Sequence, residues 1–171
     1  MERVIMVRKI PYLNSSNIAY KTVPLKKSMG ANQPLSQNSK FILLGEDDVD
    51  DEEILKEVFS SIDDSFMIEF MNNGKKLVEA LDEREEHFLP CLIILDYNMP
   101  GLNGAEILRE LKSRERYREI PVIIWSTSGS ETYKRHCLQA GACDYIIKPS
   151  NISGLAEALR YMLSFCTIQK S

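Results

Sequence analysis

With 171 residues, the chain is long enough for one ordinary domain and a further segment. Its formal charge of −4 is unevenly spread: residues 1–39 carry six Lys/Arg against Glu2 alone, while residues 40–171 carry a net −9. An acidic body argues against nucleic acid as the main partner. No apolar run approaches the roughly 20 residues that span a bilayer, and Val4-Ile5-Met6-Val7 is too short for a signal-peptide core, so the expected setting is the cytoplasm, away from membranes.

Residues 1–39 hold Pro11, Pro24 and Pro34 among many Asn, Ser and Gln, with no sustained helical or alternating period. They are expected to form a basic, flexible N-terminal extension that closes in a linker. A domain is expected over 40–168. Phe41 to Leu44 reads as a first strand, ending in Gly45-Glu46-Asp47-Asp48. From Asp50 to Ile62, apolar residues at 54, 55, 58, 59 and 62 form a helical stripe behind an acidic first turn that suits the helix dipole. Phe66 to Met71 reads as a second strand, and Asn73-Gly74 opens a helix with Leu77, Val78 and Leu81 on one face.

The stretch Leu92-Ile93-Ile94-Leu95-Asp96-Tyr97-Asn98-Met99-Pro100-Gly101 organises the rest. Four apolar residues in succession suit a strand buried on both faces of a parallel sheet. The run stops at an acid, and Pro100 with Gly101 turns the chain away. Asp96 is thereby delivered to the carboxyl end of a central strand, where open α/β sheets bind ligands. Asn103 is placed to cap a helix with Ile107, Leu108 and Leu111 inward. Pro121 to Trp125 forms a fourth strand, closed by Ser126-Thr127-Ser128. A helix through Tyr133 and Leu138 stops at Gly141, Asp144 to Ile147 forms a fifth strand ending at Lys148-Pro149, and a last helix runs from about Ile152 to Phe165. Five strands alternating with five helices predict a doubly wound (βα)5 sandwich with a parallel sheet and right-handed crossovers.

The four cysteines show no metal-ligand or CxxC spacing, and Cys91 and Cys143, beside predicted strands, read as small apolar fillers. His87 and His136 match no phosphotransfer motif and read as surface residues. Trp125 reads as strand packing.

Four strand ends present Glu46 with Asp47 and Asp48, then Asp96, Ser126 and Lys148 along one edge. Carboxylates so gathered raise a pKa or demand a cation, and Mg2+ takes hard oxygen ligands. With a fixed ammonium opposite and a hydroxyl donor beside it, this set suits phosphoryl transfer to a carboxylate.

These motifs, with Leu95-Asp96-Tyr97-Asn98-Met99-Pro100-Gly101-Leu102-Asn103-Gly104, Trp125-Ser126-Thr127-Ser128 and Gly141 to Pro149, resemble the receiver domain of two-component response regulators. The resemblance covers residues 40–166 and implies the flavodoxin-like fold, an α/β sandwich with strand order 2-1-3-4-5. It implies Asp96 as phosphoacceptor, Asp47 as direct Mg2+ ligand, Glu46 as its acidic neighbour, and the Asn98 backbone carbonyl as a third contact. It further implies Lys148 as phosphate-binding lysine, Ser126 and Tyr145 as the switch pair, and a cis Lys148–Pro149 bond. Asp48 stands between a ligand role and that of a helix cap. The family catalyses only its own phosphorylation and dephosphorylation, taking phosphate from a sensor histidine kinase or histidine phosphotransfer protein. No output module is apparent after the last helix, so the expectation is a stand-alone regulator, monomeric or weakly dimeric. It would signal to a protein target through the helix at 131–140, the fifth strand and the last helix. Competing readings are a phosphorylation-independent interaction domain on the same fold, and a dehalogenase-type phosphatase. The latter wants a carboxylate where Asn98 stands. No Gly-rich nucleotide or flavin fingerprint follows the first strand.

Overall fold

The computed structural model describes residues 7–14, 17–24 and 40–167, and the chain divides into two units after Leu35. In the first, β1 (Val7–Asn14) and β2 (Asn17–Pro24) pair antiparallel, Val7 opposite Pro24 and Asn14 opposite Asn17. No strands were expected there. Two segments this close in sequence can pair as antiparallel neighbours without a sustained alternating pattern to announce them.

The second unit follows the predicted alternation. In chain order it comprises β3 (Lys40–Gly45), α1 (Val49–Ile62), β4 (Phe66–Met71), α2 (Gly74–Asp82), β5 (Leu92–Asp96), α3 (Gly104–Ser113), β6 (Val122–Ser126), α4 (Glu131–Gln139), β7 (Asp144–Ile147) and α5 (Ile152–Thr167). The five strands pair in parallel in the order β4-β3-β5-β6-β7. Counted within this unit, that is the flavodoxin-like 2-1-3-4-5.

Strand pleating sorts the core into two layers. On one face Phe41, Leu43, Ile93, Leu95, Val122 and Ile124 pack with residues of α2, α3 and α4. On the other, Ile42, Leu44, Leu92, Ile94, Ile123 and Trp125 pack with α1 and α5. Every residue of β5 is buried, and burial of each such aliphatic side chain contributes roughly 1.5–3 kcal/mol. The central strand is therefore anchored on both faces, with Asp96 at its end.

Helix ends are fixed by side-chain caps. Asn73 accepts from Lys75 and Lys76 amides at the start of α2. Asn103 and Glu106 form a reciprocal capping box on α3, worth about 1 kcal/mol at the cap residue. After α4, Gly141 takes a left-handed φ of 101°, as its position beyond the last helical turn demands. Cys143, expected as an apolar filler, is exposed, because it leads into β7 at the sheet's edge. Cys91 is no filler either: it is bonded to Cys166.

Candidate functional site

The carboxyl edge of the sheet gathers the polar groups. Glu46 follows β3 and is 1% exposed, its amide donating to the Met71 carbonyl at 2.9 Å. Asp96 closes β5 and is 6% exposed, and Ser126 closes β6 wholly buried. Lys148 follows β7, and its amide donates to the Ser126 carbonyl at 2.7 Å, continuing the β6–β7 pairing and aiming the side chain inward.

Lys148 Nζ donates to three carboxylates at once: Asp96 Oδ2 at 2.7 Å, Glu46 Oε2 at 2.8 Å and Asp51 Oδ2 at 2.8 Å. Burial alone would lower the pKa of this ammonium. Hydrogen bonds to Asp51, Asp96 and Glu46 reverse that and hold it above the ordinary lysine range. Burial pushes the Glu46 carboxyl up to about 7, with the neighbouring Asp96 charge adding to it and the Lys148 hydrogen bond opposing it. Asp96 Oδ1 accepts the Asn98 amide at 2.8 Å, so the loop after β5 folds back over the carboxylate it carries.

Carboxylate oxygens of Glu46, Asp47 and Asp96 lie within 4.8 Å of one another. A pocket of hard, anionic oxygens, one of them on an exposed residue, fits a small divalent cation such as Mg2+. Asp48 stands outside that group. Its side chain accepts from the Asp50 and Asp51 amides at 2.8 and 3.3 Å, which makes it the cap of α1.

The loop after β6 carries the remaining groups. Ser126 Oγ accepts the Ser128 amide at 3.1 Å. Tyr145 is buried and donates its hydroxyl to the Ser128 carbonyl at 2.8 Å. Its ring meets Tyr97 edge-on at 6.4 Å between centroids, and Tyr97 stacks on Tyr133 of α4 at 4.8 Å. Tyr97 is the residue after Asp96, so an aromatic path runs from the acidic pocket to α4. Behind it, Gly104 opens α3 so close to the strand that a Cβ there would lie 2.5 Å from the Asp96 carbonyl oxygen.

The structure thus brings together Glu46, Asp47, Asp96, Ser126 and Lys148, places Tyr145 beside the loop that carries Ser128, and keeps Trp125 in the core as expected. One expectation fails. No cis peptide occurs among the described residues, so Lys148–Pro149 is trans. The trans form is the intrinsically favoured one, and strand pairing through the Ser126 carbonyl already points the lysine into the pocket. Asp51 was missed by the sequence reading. The available signal was helical phase: Asp51 precedes the buried Leu55 and Val58 at i+4 and i+7 on the stripe that faces the sheet. His136 is exposed, and the side chain of His87 lies outside the described residues.

Comparison with known sequences decides the family: the response regulator receiver domain matches residues 42–160. The chain belongs to the response regulator receiver family. The two-component response regulator ORR5 of Oryza sativa subsp. japonica is 35% identical over 111 residues, which cover 64% of this chain and 81% of that protein. Among solved structures, the receiver superposes on the phosphorylated cyanobacterial phytochrome response regulator RcpA with a TM-score of 0.68 at 28% identity. The match covers 77% of this chain and 96% of that one. The Mn2+-bound form of response regulator Rcp1 gives 0.65 at 28% identity, over 77% and 97% of the two chains. Among the described residues, no helix is long and apolar enough to cross a membrane.

Proposed function

We propose that the receiver, residues 40–168, accepts a phosphoryl group on Asp96 from a histidine kinase or histidine phosphotransfer protein and signals through protein contacts, with the basic 1–39 segment as an appended arm. The observation that carries this is the Asp96 carboxylate, nearly buried, held 2.7 Å from Lys148 Nζ and beside the acids Glu46 and Asp47.

In the transfer, an Asp96 carboxylate oxygen forms a bond to phosphorus as the bond from phosphorus to the donor's imidazole nitrogen breaks. The imidazole leaves, and Asp96 becomes an acyl phosphate. Hydrolysis reverses the gain: water attacks phosphorus, phosphate departs and the carboxylate returns. Lys148, fully protonated, offsets the negative charge on the transferred oxygens and holds Asp96 in line. Ser126, one strand away, offers its hydroxyl to the same group. Mg2+, when bound, would neutralise the phosphoryl oxygens, and Glu46, Asp47, Asp96 and the Asn98 carbonyl are the groups to hold it. The Tyr145 hydroxyl, anchored on the Ser128 carbonyl, follows any movement of the loop after Ser126. That biases α4, β7 and α5, where Tyr133, Leu138, Ile147 and Tyr161 are exposed.

A donor has a place to dock beside the pocket. Ile54 of α1 and Ile152 of α5 are exposed apolar residues lining a groove with Lys148 and Pro149. Incubation with acetyl phosphate and Mg2+, followed by intact mass, tests the reading. The wild-type chain should gain one phosphoryl group and Asp96→Ala none; equal gain in both would refute it.

A further inference from the structure

A bonded pair of cysteines involves the opposite end of β5 from Asp96. Cys91 directly precedes β5, and its amide donates to the Phe41 carbonyl at 2.8 Å. Five residues of extended strand, about 16 Å, separate it from Asp96. Cys166 sits near the end of α5. The two Cα atoms are 4.9 Å apart and the sulfurs are bonded, a spacing that a disulfide bridges without backbone movement. Both side chains are partly buried against the α1/α5 core layer. The remaining cysteines differ: Cys137 is buried in the other layer and Cys143 is free and exposed.

We propose that Cys91 and Cys166 form a thiol–disulfide exchange site, closed by a glutathione-type disulfide, which clamps the end of α5 to the start of the strand that carries Asp96. Closure needs two exchanges. The thiolate of one cysteine attacks a sulfur of the small disulfide, releasing one glutathione thiolate and leaving a mixed disulfide. The thiolate of the partner cysteine then attacks the protein-side sulfur, and the second glutathione leaves. Two protein thiols are oxidised, one disulfide is reduced to two thiols, and the two protons end on glutathione. Excess reduced glutathione runs the sequence backwards.

The cysteines are 75 residues apart in the chain, so the bridge closes a long loop and removes much freedom from the unfolded state. It pins the end of α5 that lies away from Lys148. The clamp's consequence for signalling rests on α5 being part of the output face; its chemistry does not.

The test uses the full chain, reduced, desalted and exposed to oxidised glutathione, with remaining thiols alkylated before intact mass and peptide mapping. The expected result is loss of two hydrogens, joint protection of Cys91 and Cys166, and modification of Cys143. The melting temperature should rise by at least about 5 °C, with dithiothreitol reversing the change. Cys91→Ser and Cys166→Ser should each abolish both the closure and the rise. Alkylation of both residues after oxidation, a bridge to Cys143, or closure without thermal gain would overturn the proposal. Both readouts are taken without phosphate, so they stand or fall separately from phosphorylation of Asp96.

Discussion

Asp51, in the first turn of α1, places Oδ2 2.8 Å from Nζ of Lys148, 97 residues away at the end of β7. The contact ties helix α1 to the same ammonium that holds Asp96, but Asp51 is the most exposed of the three acceptors. A solvent-facing member of an ion pair contributes at most about 1 kcal/mol. Asp51→Ala should therefore leave the rate of autophosphorylation from acetyl phosphate within about threefold of wild type and the fold nearly as stable. A tenfold loss in either direction of phosphotransfer would show that Asp51 belongs to the chemistry.

Lys148→Ala should behave otherwise. It leaves Glu46 and Asp96 buried side by side without their shared cation, and removing one partner of a buried pair costs roughly 3–5 kcal/mol. The variant should melt well below wild type and recover part of that loss on addition of millimolar Mg2+. Phosphate acceptance should fall about a hundredfold, the cost of losing one preorganised donor at a developing charge. Thermal melts with and without Mg2+ read the first effect and acetyl phosphate kinetics the second; unaltered stability would contradict the buried-charge account.

Trp125 offers a direct view of the cation. It is the chain's one tryptophan, it lines the groove with Lys148, and its carbonyl accepts the amide of Tyr97, next to Asp96. Titration with Mg2+ should change its emission, and Asp47→Asn should weaken the apparent affinity at least about tenfold by removing an anionic oxygen ligand. Equal affinity in the two proteins would remove Asp47 from the metal's shell.

Away from the site, Asp82 at the end of α2 joins that helix to the segment after α3. It accepts from the hydroxyl of buried Tyr117 at 2.6 Å and from Arg114 at 2.7 and 2.8 Å. These hydrogen bonds, Arg114 foremost, hold its carboxyl below the usual aspartate range. Because its pKa is depressed in the folded state, the stabilisation is present above the unfolded value near 3.8 and disappears as pH falls through the folded one. Asp82→Ala should cost roughly 1 kcal/mol at neutral pH. Its melting curve should converge with that of wild type in acid. A deficit that persists undiminished at pH 2 would assign the effect to packing instead.

Most of the fold was legible because the strands of the second unit are short, mostly apolar runs followed closely by polar residues. Asn73, Asn103 and Gly141 then announce the helix ends through their own chemistry. Glu46, Asp47, Asp96, Ser126 and Lys148 were legible for the same reason, since strand ends in a parallel sheet share an edge. Asp51 was hidden in an acidic run from Asp47 to Glu53, in which charge alone distinguishes nothing and only helical phase does. The Cys91–Cys166 bond is a contact between residues far apart in the chain, with no local pattern to mark it. The trans bond before Pro149 shows the limit of reasoning by resemblance: strand register suffices to deliver the lysine.

Gly104 leaves no gap between the first turn of α3 and the back of Asp96. A strain arising at the carboxylate thus finds no slack behind it, and compression toward α3 is blocked by backbone meeting backbone. On the other side of the carboxylate, the ring of Tyr97 stacks on that of Tyr133. A single added methyl at position 104 would have to displace either the first turn of α3 or the end of the strand that carries Asp96.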